Sequence, residues 1–236
     1  MSTTATVILI IVVAIALIAV WLIAQTSPGQ QVATPAATGT PGTSSYANTA
    51  ASSTSDQSIS DGVISISFPS ADFGLATTSS QILARTYIPP CSENFDYCLY
   101  YIGNAFQGTN FESAGIRIDK RTDLKTQTAC LTTPPEGYTT APSSTTTSAD
   151  TYAASAFAVG GAATGHYANG TLYRLFYQPS GACYEFETRI GQSQFANYPS
   201  GTIRMFTSND QGALQSEIQR ILQTLRLPNG GSISLP

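Results

Sequence analysis

The sequence predicts an α+β fold, an antiparallel sheet with flanking helices, behind one N-terminal transmembrane helix and a disordered stalk. Three observations lead to this fold class. Residues 7–24 are an unbroken apolar run, residues 25–60 are hydroxyl-rich without any hydrophobic pattern, and residues 61–227 contain alternating apolar strands followed by one amphipathic helical pattern. Because the first quarter differs so clearly from the rest, we expect one compact domain in the 236-residue chain.

The composition excludes two classes of partner. Charged residues make up 10% of the chain, against about 25% in typical soluble proteins. There are 10 Lys and Arg against 14 Asp and Glu, and no basic run occurs. We therefore expect neither nucleic acid nor an anionic membrane surface as a partner, because both need clustered positive charge.

The apolar run VILIIVVAIALIAVWLIA at residues 7–24 predicts a transmembrane helix that follows a short N-terminal tail. Eighteen helical residues nearly cover a hydrocarbon core of about 30 Å. A cleaved signal peptide is the alternative, but the run is too long and lacks a preceding basic residue and a following small-x-small site. We predict a retained signal anchor in the cell membrane. The first basic residue is Arg85, so nearby charges do not set the orientation.

Residues 25–60 are dominated by Thr, Ser, Ala, Pro and Gly, with almost nothing large to bury. Such a segment does not recover its ordering entropy, and we predict a disordered linker. As a flexible coil its 36 residues span about 30–36 Å root-mean-square. The linker would hold the following domain away from the membrane.

Four segments after residue 61 have the composition or alternation of strands, and they are 63–68, 98–103, 114–119 and 155–160. The proline-containing, hydroxyl-rich segment 132–150 predicts a long surface loop. Aromatic residues occur at both odd and even positions of 94–101, so they would point to both faces of a strand and some rings would be exposed. Exposed rings are suited to binding a peptide, a glycan or a protein. A strand covered on both sides is the alternative.

Residues 171–178 and 183–190 predict a hairpin around the loop 179–182. A four-residue loop places Arg174 opposite Glu187, with Glu185 diagonal to it on the same polar face. We expect Glu185 and Glu187 to lie on the solvated side of the sheet. The alternative is a pair of catalytic carboxylates, since their spacing of roughly 6.5–7 Å overlaps that of inverting glycosidases.

The C-terminal segment 208–227 has apolar residues at steps of three and four and predicts a helix. Ser208, Asn209 and Asp210 are its candidate N-caps, and Pro228 would end it. The glycine-rich residues 228–236 predict a flexible tail. The globular domain is thereby bounded at residues 61–227.

The chain has four cysteines, Cys91, Cys98, Cys130 and Cys183. An even number in an exported domain indicates two disulfides, with three possible connectivities. Cys91 with Cys98 is the most economical pairing, because the two bracket a short segment, and it leaves Cys130 with Cys183. Free buried thiols are the alternative. A metal site is disfavoured, since no C-x2-C spacing occurs and His166 is the only histidine.

The remaining chemical motifs are weak, and we predict no catalytic residues, no cofactor and no metal. His166 could act as a general base, but the sequence has no serine in a nucleophile-elbow pattern and no cysteine in a catalytic context for it to activate. GGAATG at 160–165 lacks the Lys-Ser/Thr of a phosphate loop. Asn169-Gly170-Thr171 matches the acceptor motif for N-glycosylation.

Residues 64–70 (ISISFPS), the hairpin YRLFYQPSGACYEFETRI and the closing helix into ILQTLRL resemble the PsbP-like fold, an antiparallel sheet sandwiched by helices. The end of the chain is also similar to uncharacterised single-anchor bacterial surface proteins. The resemblance covers about 170 residues and implies the fold alone. The cysteines and the segment 132–150 depart from the photosynthetic members, so a role in oxygen evolution is not implied.

These features favour a membrane-anchored, extracytoplasmic accessory or binding domain whose partner is an envelope protein, a peptide or a glycan. One alternative is an envelope-associated hydrolase of glycan or peptide that uses carboxylates. Its candidate acids are Glu185, Glu187, Asp119 and Glu136. The other alternative is a structural cell-envelope component, which would self-associate.

Overall fold

A computed structural model describes residues 56–77, 95–148 and 151–236. The predicted anchor and most of the predicted linker lie outside these residues. No helix within the described parts is long and apolar enough to cross a membrane.

The described chain forms nine strands, two α-helices and one short 3-10 turn. In chain order these are β1 (Asp56–Ser60), β2 (Ser65–Pro69), β3 (Phe73–Ala76), β4 (Tyr97–Tyr101), β5 (Phe111–Arg121), α1 (Gln127–Thr132), β6 (Ser144–Ser148), β7 (Tyr152–Ala163), β8 (His166–Tyr177), β9 (Ala182–Ser193), the 3-10 turn (Phe195–Asn197) and α2 (Ser208–Leu222).

Seven of the described strands form one sheet in the order β3-β4-β5-β9-β8-β7-β6. Every neighbouring pair is antiparallel. Strands β1 and β2 form a separate antiparallel hairpin. The predicted α+β class with an antiparallel sheet is confirmed at this level.

The main core lies between one face of the large sheet and a layer made of the β1–β2 hairpin and α2. The alternation at residues 63–68 buries Ile66 and Phe68 of β2 and the preceding Ile64, as the sequence pattern predicts. The apolar stripe of α2 is buried as well, through Leu214, Ile218, Ile221 and Leu222.

The N-cap of helix α2 lies one residue before the first predicted candidate, Ser208, so the three predicted caps are wrong. Thr207 is the N-cap, and its hydroxyl accepts a hydrogen bond from the Asp210 backbone N–H while the Asp210 carboxylate reaches back to the Thr207 N–H. This capping box satisfies two donors that a helix start leaves unpaired. The helix also ends at Leu222, before Pro228 is reached.

The opposite face of the sheet is covered at β7 and β8 by α1. Because side chains alternate along β8, Phe176 points away from Leu175 and towards α1. Phe176 packs there with Leu124 and with the disulfide between Cys130 and Cys183. This confirms the predicted Cys130–Cys183 bridge. The Cys91–Cys98 pairing stays a prediction, since Cys91 lies outside the described residues.

Three predicted boundaries are wrong. The segment 132–150 is not entirely loop, because β6 pairs with β7 within it and α1 ends at its start. The predicted linker extends too far, since its residues 56–60 form β1, which pairs with β2. The segment 228–236, predicted to be a flexible tail, packs against the domain. Ile233 is buried in the main core, and its N–H donates to the Leu225 carbonyl.

Candidate functional site

The β8–β9 hairpin forms as predicted, but its register differs by two residues. Arg174 lies opposite Glu185, whereas Leu172 lies opposite Glu187. The loop consists of residues 178–181, and Ala182 already pairs with Tyr177. The cause is Gly181, which adopts a left-handed φ of 66° and donates its N–H to Tyr177. The loop therefore closes one residue early, and a shift of two positions leaves every side chain on its predicted face.

Glu185 is at the centre of a cluster of charged side chains on the face covered by α1. Its Oε1 lies 2.8 Å from Arg117 Nη2, and its Oε2 lies 2.9 Å from both Arg121 Nη1 and Arg174 Nε. Both carboxylate oxygens are thus bound to guanidinium groups. The residue is only 2% exposed, so these three arginines replace the water it has lost.

Glu187 is neutralised in the same way. Its Oε2 lies 2.9 Å from Arg117 Nη2, and its Oε1 accepts from Arg189 Nε. The residue is buried. The expectation that Glu185 and Glu187 lie on a solvated face is therefore wrong, although their predicted association with arginines is right.

Asp119 is the carboxylate of this cluster that is least well compensated. Its Oδ2 lies 3.0 Å from Arg117 Nε, but the angle does not make a hydrogen bond. Its Oδ1 accepts from the Asp96 backbone N–H. Burial raises the pKa of Asp119 to about 6, against the opposing charge of Arg117. The fourth candidate acid, Glu136, is exposed on the segment after α1 and is not part of the cluster.

Arg174 connects the cluster to α1. It is 1% exposed, and its Nη1 donates to the carbonyl oxygens of Cys130 and Thr133 at the end of that helix. Its guanidinium also lies 5.4 Å from the centre of the Phe157 ring. Burial lowers the pKa of Arg174, and the neighbouring Glu185 opposes this shift. The arginine therefore fixes the helix to the sheet while it balances the buried glutamate.

We call Arg117, Asp119, Arg121, Arg174, Glu185, Glu187 and Arg189 the ionic cluster. Three of the four candidate acids of the hydrolase alternative, Asp119, Glu185 and Glu187, lie close together, and each lies against a guanidinium. Both carboxylate oxygens of Glu185 and of Glu187 are bound to guanidinium groups, so neither side chain is free to act on a substrate. The arrangement favours a structural role.

His166 lies at the start of β8, on the opposite end of the sheet from α1. Its Nδ1 lies 2.6 Å from Glu112 Oε1. Within the described residues no group of three or more acidic, histidine or cysteine side chains is placed to hold a metal ion.

A cavity of about 570 Å³ lies between the β1–β2 hairpin and the large sheet. Its apolar walls are Ile59, Ile64 and Ile66 from the hairpin and Tyr97 and Ile118 from the sheet. A volume of this size, with mainly apolar walls and a few polar groups, is typical of small-molecule sites.

Asp61 and Tyr184 are polar residues of the cavity lining. The Tyr184 hydroxyl donates to Asp61 Oδ2 at 2.6 Å, and the N–H groups of Val63 and Ile64 donate to Asp61 Oδ1. Burial raises the pKa of Asp61, but these hydrogen bonds outweigh it and leave the pKa below its ordinary value. Burial, together with Asp61, raises the pKa of Tyr184. The pair therefore stays as carboxylate and phenol at neutral pH.

Lys120 provides a positive group at the rim of the cavity. Its Nζ lies 3.8 Å from Asp61 Oδ2, beyond hydrogen-bonding distance, and 5.5 Å from the centre of the Tyr184 ring. The side chain is 45% exposed. The ammonium group thus retains donors for an acceptor on a ligand.

The sequence does not predict the cavity. Its residues come from β1, β2, β4, β5 and β9, and nothing in the sequence indicates that the hairpin packs over that part of the sheet. The one available signal was Asp61-Gly62, a typical turn pair between two strands. In the predicted segment 94–101, Phe95, Tyr97, Tyr100 and Tyr101 are all partly buried, so these rings are neither fully exposed nor fully covered.

Comparison of the chain with known protein families, with curated proteins and with solved structures finds no match.

Proposed function

We propose that the protein is a membrane-anchored, extracytoplasmic binding domain that takes a small amphipathic ligand into the cavity under the β1–β2 hairpin. The observation that carries this function is the cavity itself, with its apolar walls and its single lysine at the rim. The proposed ligand has an apolar body and one anionic or hydrogen-bond-accepting group.

The apolar body of the ligand would lie between the two layers of the fold. Ile59, Ile64 and Ile66 on one side and Ile118 on the other offer it a surface without charges. Burial of apolar surface contributes about 25 cal/mol per Å². The walls therefore supply affinity, whereas specificity must come from the polar groups.

The accepting group of the ligand would bind Lys120. Asp61 already accepts from the Tyr184 hydroxyl and two backbone N–H groups, so it has little capacity left for a donor on the ligand. Lys120 makes no such hydrogen bond to Asp61. Asp96 also lines the cavity, and its Oδ2 accepts from the Lys120 backbone N–H. Lys120 is therefore the charged lining group with donors left to offer, and we propose an accepting head group rather than a donating one.

The extracytoplasmic location is part of the same proposal. It is supported by the apolar run at 7–24 and by the Cys130–Cys183 disulfide, because disulfides persist in oxidising compartments. In this arrangement the part of the predicted linker that precedes β1, residues 25–55, would tether the binding domain outside the membrane.

A binding domain is favoured over the envelope hydrolase because two of the candidate acids, Glu185 and Glu187, are bound by arginines. We also propose that the fold is PsbP-like, beyond the α+β class with an antiparallel sheet. It is supported by the position of the sheet between α1 on one face and α2 on the other.

The experiment that tests this function compares probes of opposite charge. Thermal unfolding of the full-length protein in a non-ionic detergent is followed with octanoate and with octylamine. At a concentration 100 times its dissociation constant, octanoate should raise the midpoint by about 5–11 °C, and octylamine should do so less. Ile59→Trp fills the cavity and should abolish the rise.

The matched control is Ile102→Trp, which adds the same ring at a side chain that is 49% exposed and outside the cavity. It should respond to octanoate as the unmodified protein does. Equal responses from all three proteins would contradict binding in this cavity.

A further inference from the structure

The acceptor motif Asn169-Gly170-Thr171 lies in the middle of β8. Asn169 pairs with Gly160 on β7 and with Ile190 on β9, yet its side chain is exposed. The asparagine therefore presents its amide to solvent from a strand whose backbone is paired on both sides.

Tyr167 lies two residues before Asn169 on the same strand. Side chains at positions i and i+2 of a strand point to the same face and lie roughly 6.5–7 Å apart. Tyr167 is 39% exposed, which is unusual for a ring on the face that carries the main core. An exposed aromatic ring beside an exposed asparagine is a suitable surface for the apolar side of a sugar ring.

The middle position of the motif also has a structural explanation. A Cβ on Gly170 would lie 2.0 Å from the Thr188 carbonyl oxygen, so β9 approaches too closely for any other residue. Glycine is compatible with the acceptor motif, which excludes only proline at this position. Close packing against β9 thus explains the glycine at position 170. The fold gives no comparable explanation for the exposed Asn169 and Tyr167.

We propose that Asn169 is an N-glycosylation site and that the first sugar packs against the ring of Tyr167. The proposal rests on the extracytoplasmic location proposed above. The donor is an oligosaccharide linked to a lipid pyrophosphate. A bond forms between Asn169 Nδ2 and the anomeric carbon, the bond from that carbon to the phosphate oxygen breaks, one amide proton is lost, and the lipid pyrophosphate leaves with the electron pair.

The test is mass spectrometry of the peptide that contains Asn169, from full-length protein isolated without reduction from its native membrane. We expect this peptide to carry hexose-containing mass, and enzymatic release in heavy-oxygen water to convert Asn169 to labelled aspartate. Thr171→Val removes the hydroxyl but keeps the branched side chain, and it should lose the glycan completely. Thr171→Ser preserves the motif and should retain it.

A packing role for Tyr167 has its own readout. Enzymatic removal of the glycan should lower the thermal midpoint of the protein with the original sequence. Tyr167→Ala should keep the glycan, but removing the glycan from this variant should leave the midpoint unchanged. An equal drop in both proteins would overturn the packing.

An unmodified Asn169 overturns the glycosylation proposal. If the same spectra contain the Cys130–Cys183 bridge, the extracytoplasmic location survives. If both cysteines are free thiols, the location fails as well.

Discussion

Arg174 and Glu185 lie directly opposite each other on β8 and β9, with 2.9 Å between Arg174 Nε and Glu185 Oε2 and almost no solvent exposure on either side chain. The pair joins the large sheet to α1, because Arg174 also donates to carbonyl oxygens at the end of that helix. Loss of either partner should therefore destabilise this face.

The first prediction concerns removal of one partner. Glu185→Gln keeps the shape but leaves Arg174 and Arg121 without their shared anion. Such a loss destabilises a buried pair by about 3–5 kcal/mol. Urea unfolding measures the free energy. The double variant Arg174→Met/Glu185→Leu should recover much of it, and a single variant as stable as the unmodified protein would show that the pair is unimportant.

The second prediction concerns the disulfide that holds α1 to β9. Changing Cys130 and Cys183 together to alanine should cost about 4 kcal/mol in the loop-entropy estimate, given their separation of 53 residues. Chemical unfolding under non-reducing conditions measures the loss. Under reducing conditions the difference between the two proteins should shrink markedly. A difference of equal size in both conditions would instead assign the loss to packing.

The third prediction is a pH dependence caused by Asp119. Burial raises its pKa in the folded state to about 6 from an ordinary value of 3.8. The folded state therefore binds more protons than the unfolded state between these values, so the contribution of Asp119 to stability falls as the pH rises from about 4 to about 6. Asp119→Asn removes this contribution.

The measurement compares the free energy of unfolding of the two proteins across that range. The advantage of the unmodified protein over Asp119→Asn should decrease up to about pH 6 and then level off. A constant difference would contradict a raised pKa for Asp119, because other titrating groups are common to both proteins.

The fourth prediction concerns the charge at the rim of the proposed binding cavity. Lys120→Met keeps a long apolar side chain but removes the ammonium donor. Octanoate should then stabilise the protein less than before, while octylamine should gain. Thermal unfolding of the full-length protein gives both shifts, and an unchanged preference for octanoate would exclude Lys120 as its partner.

Sequence patterns predicted the strands and the faces of their side chains, because both depend on residues that are close together in the chain. Alternation identified β2, β5 and the β8–β9 hairpin, and it assigned Glu185 and Glu187 to the same face as Arg174. The exact register depended on where the loop closes, which Gly181 decides through its left-handed backbone. A tetrapeptide of turn-forming residues does not reveal which of them adopts that conformation.

The covering of the polar face could not be predicted. Helix α1 is six residues long and hydroxyl-rich, too short for an amphipathic pattern to be recognisable. Its position follows from the Cys130–Cys183 bridge and from the hydrogen bonds of Arg174. The cavity depends in the same way on the tertiary position of the β1–β2 hairpin, whose first strand lies in a segment without a hydrophobic pattern.

The most direct test of the proposed binding function is to identify what the cavity holds in the native protein. Full-length protein isolated from its membrane would be denatured, and the released small molecules measured by mass spectrometry for the unmodified chain, Ile59→Trp and Ile102→Trp. We expect one amphipathic compound with an anionic or accepting head group in the unmodified protein and in Ile102→Trp, and its absence from Ile59→Trp. The same compounds in equal amount from all three proteins, or none from any, would contradict a ligand in this cavity.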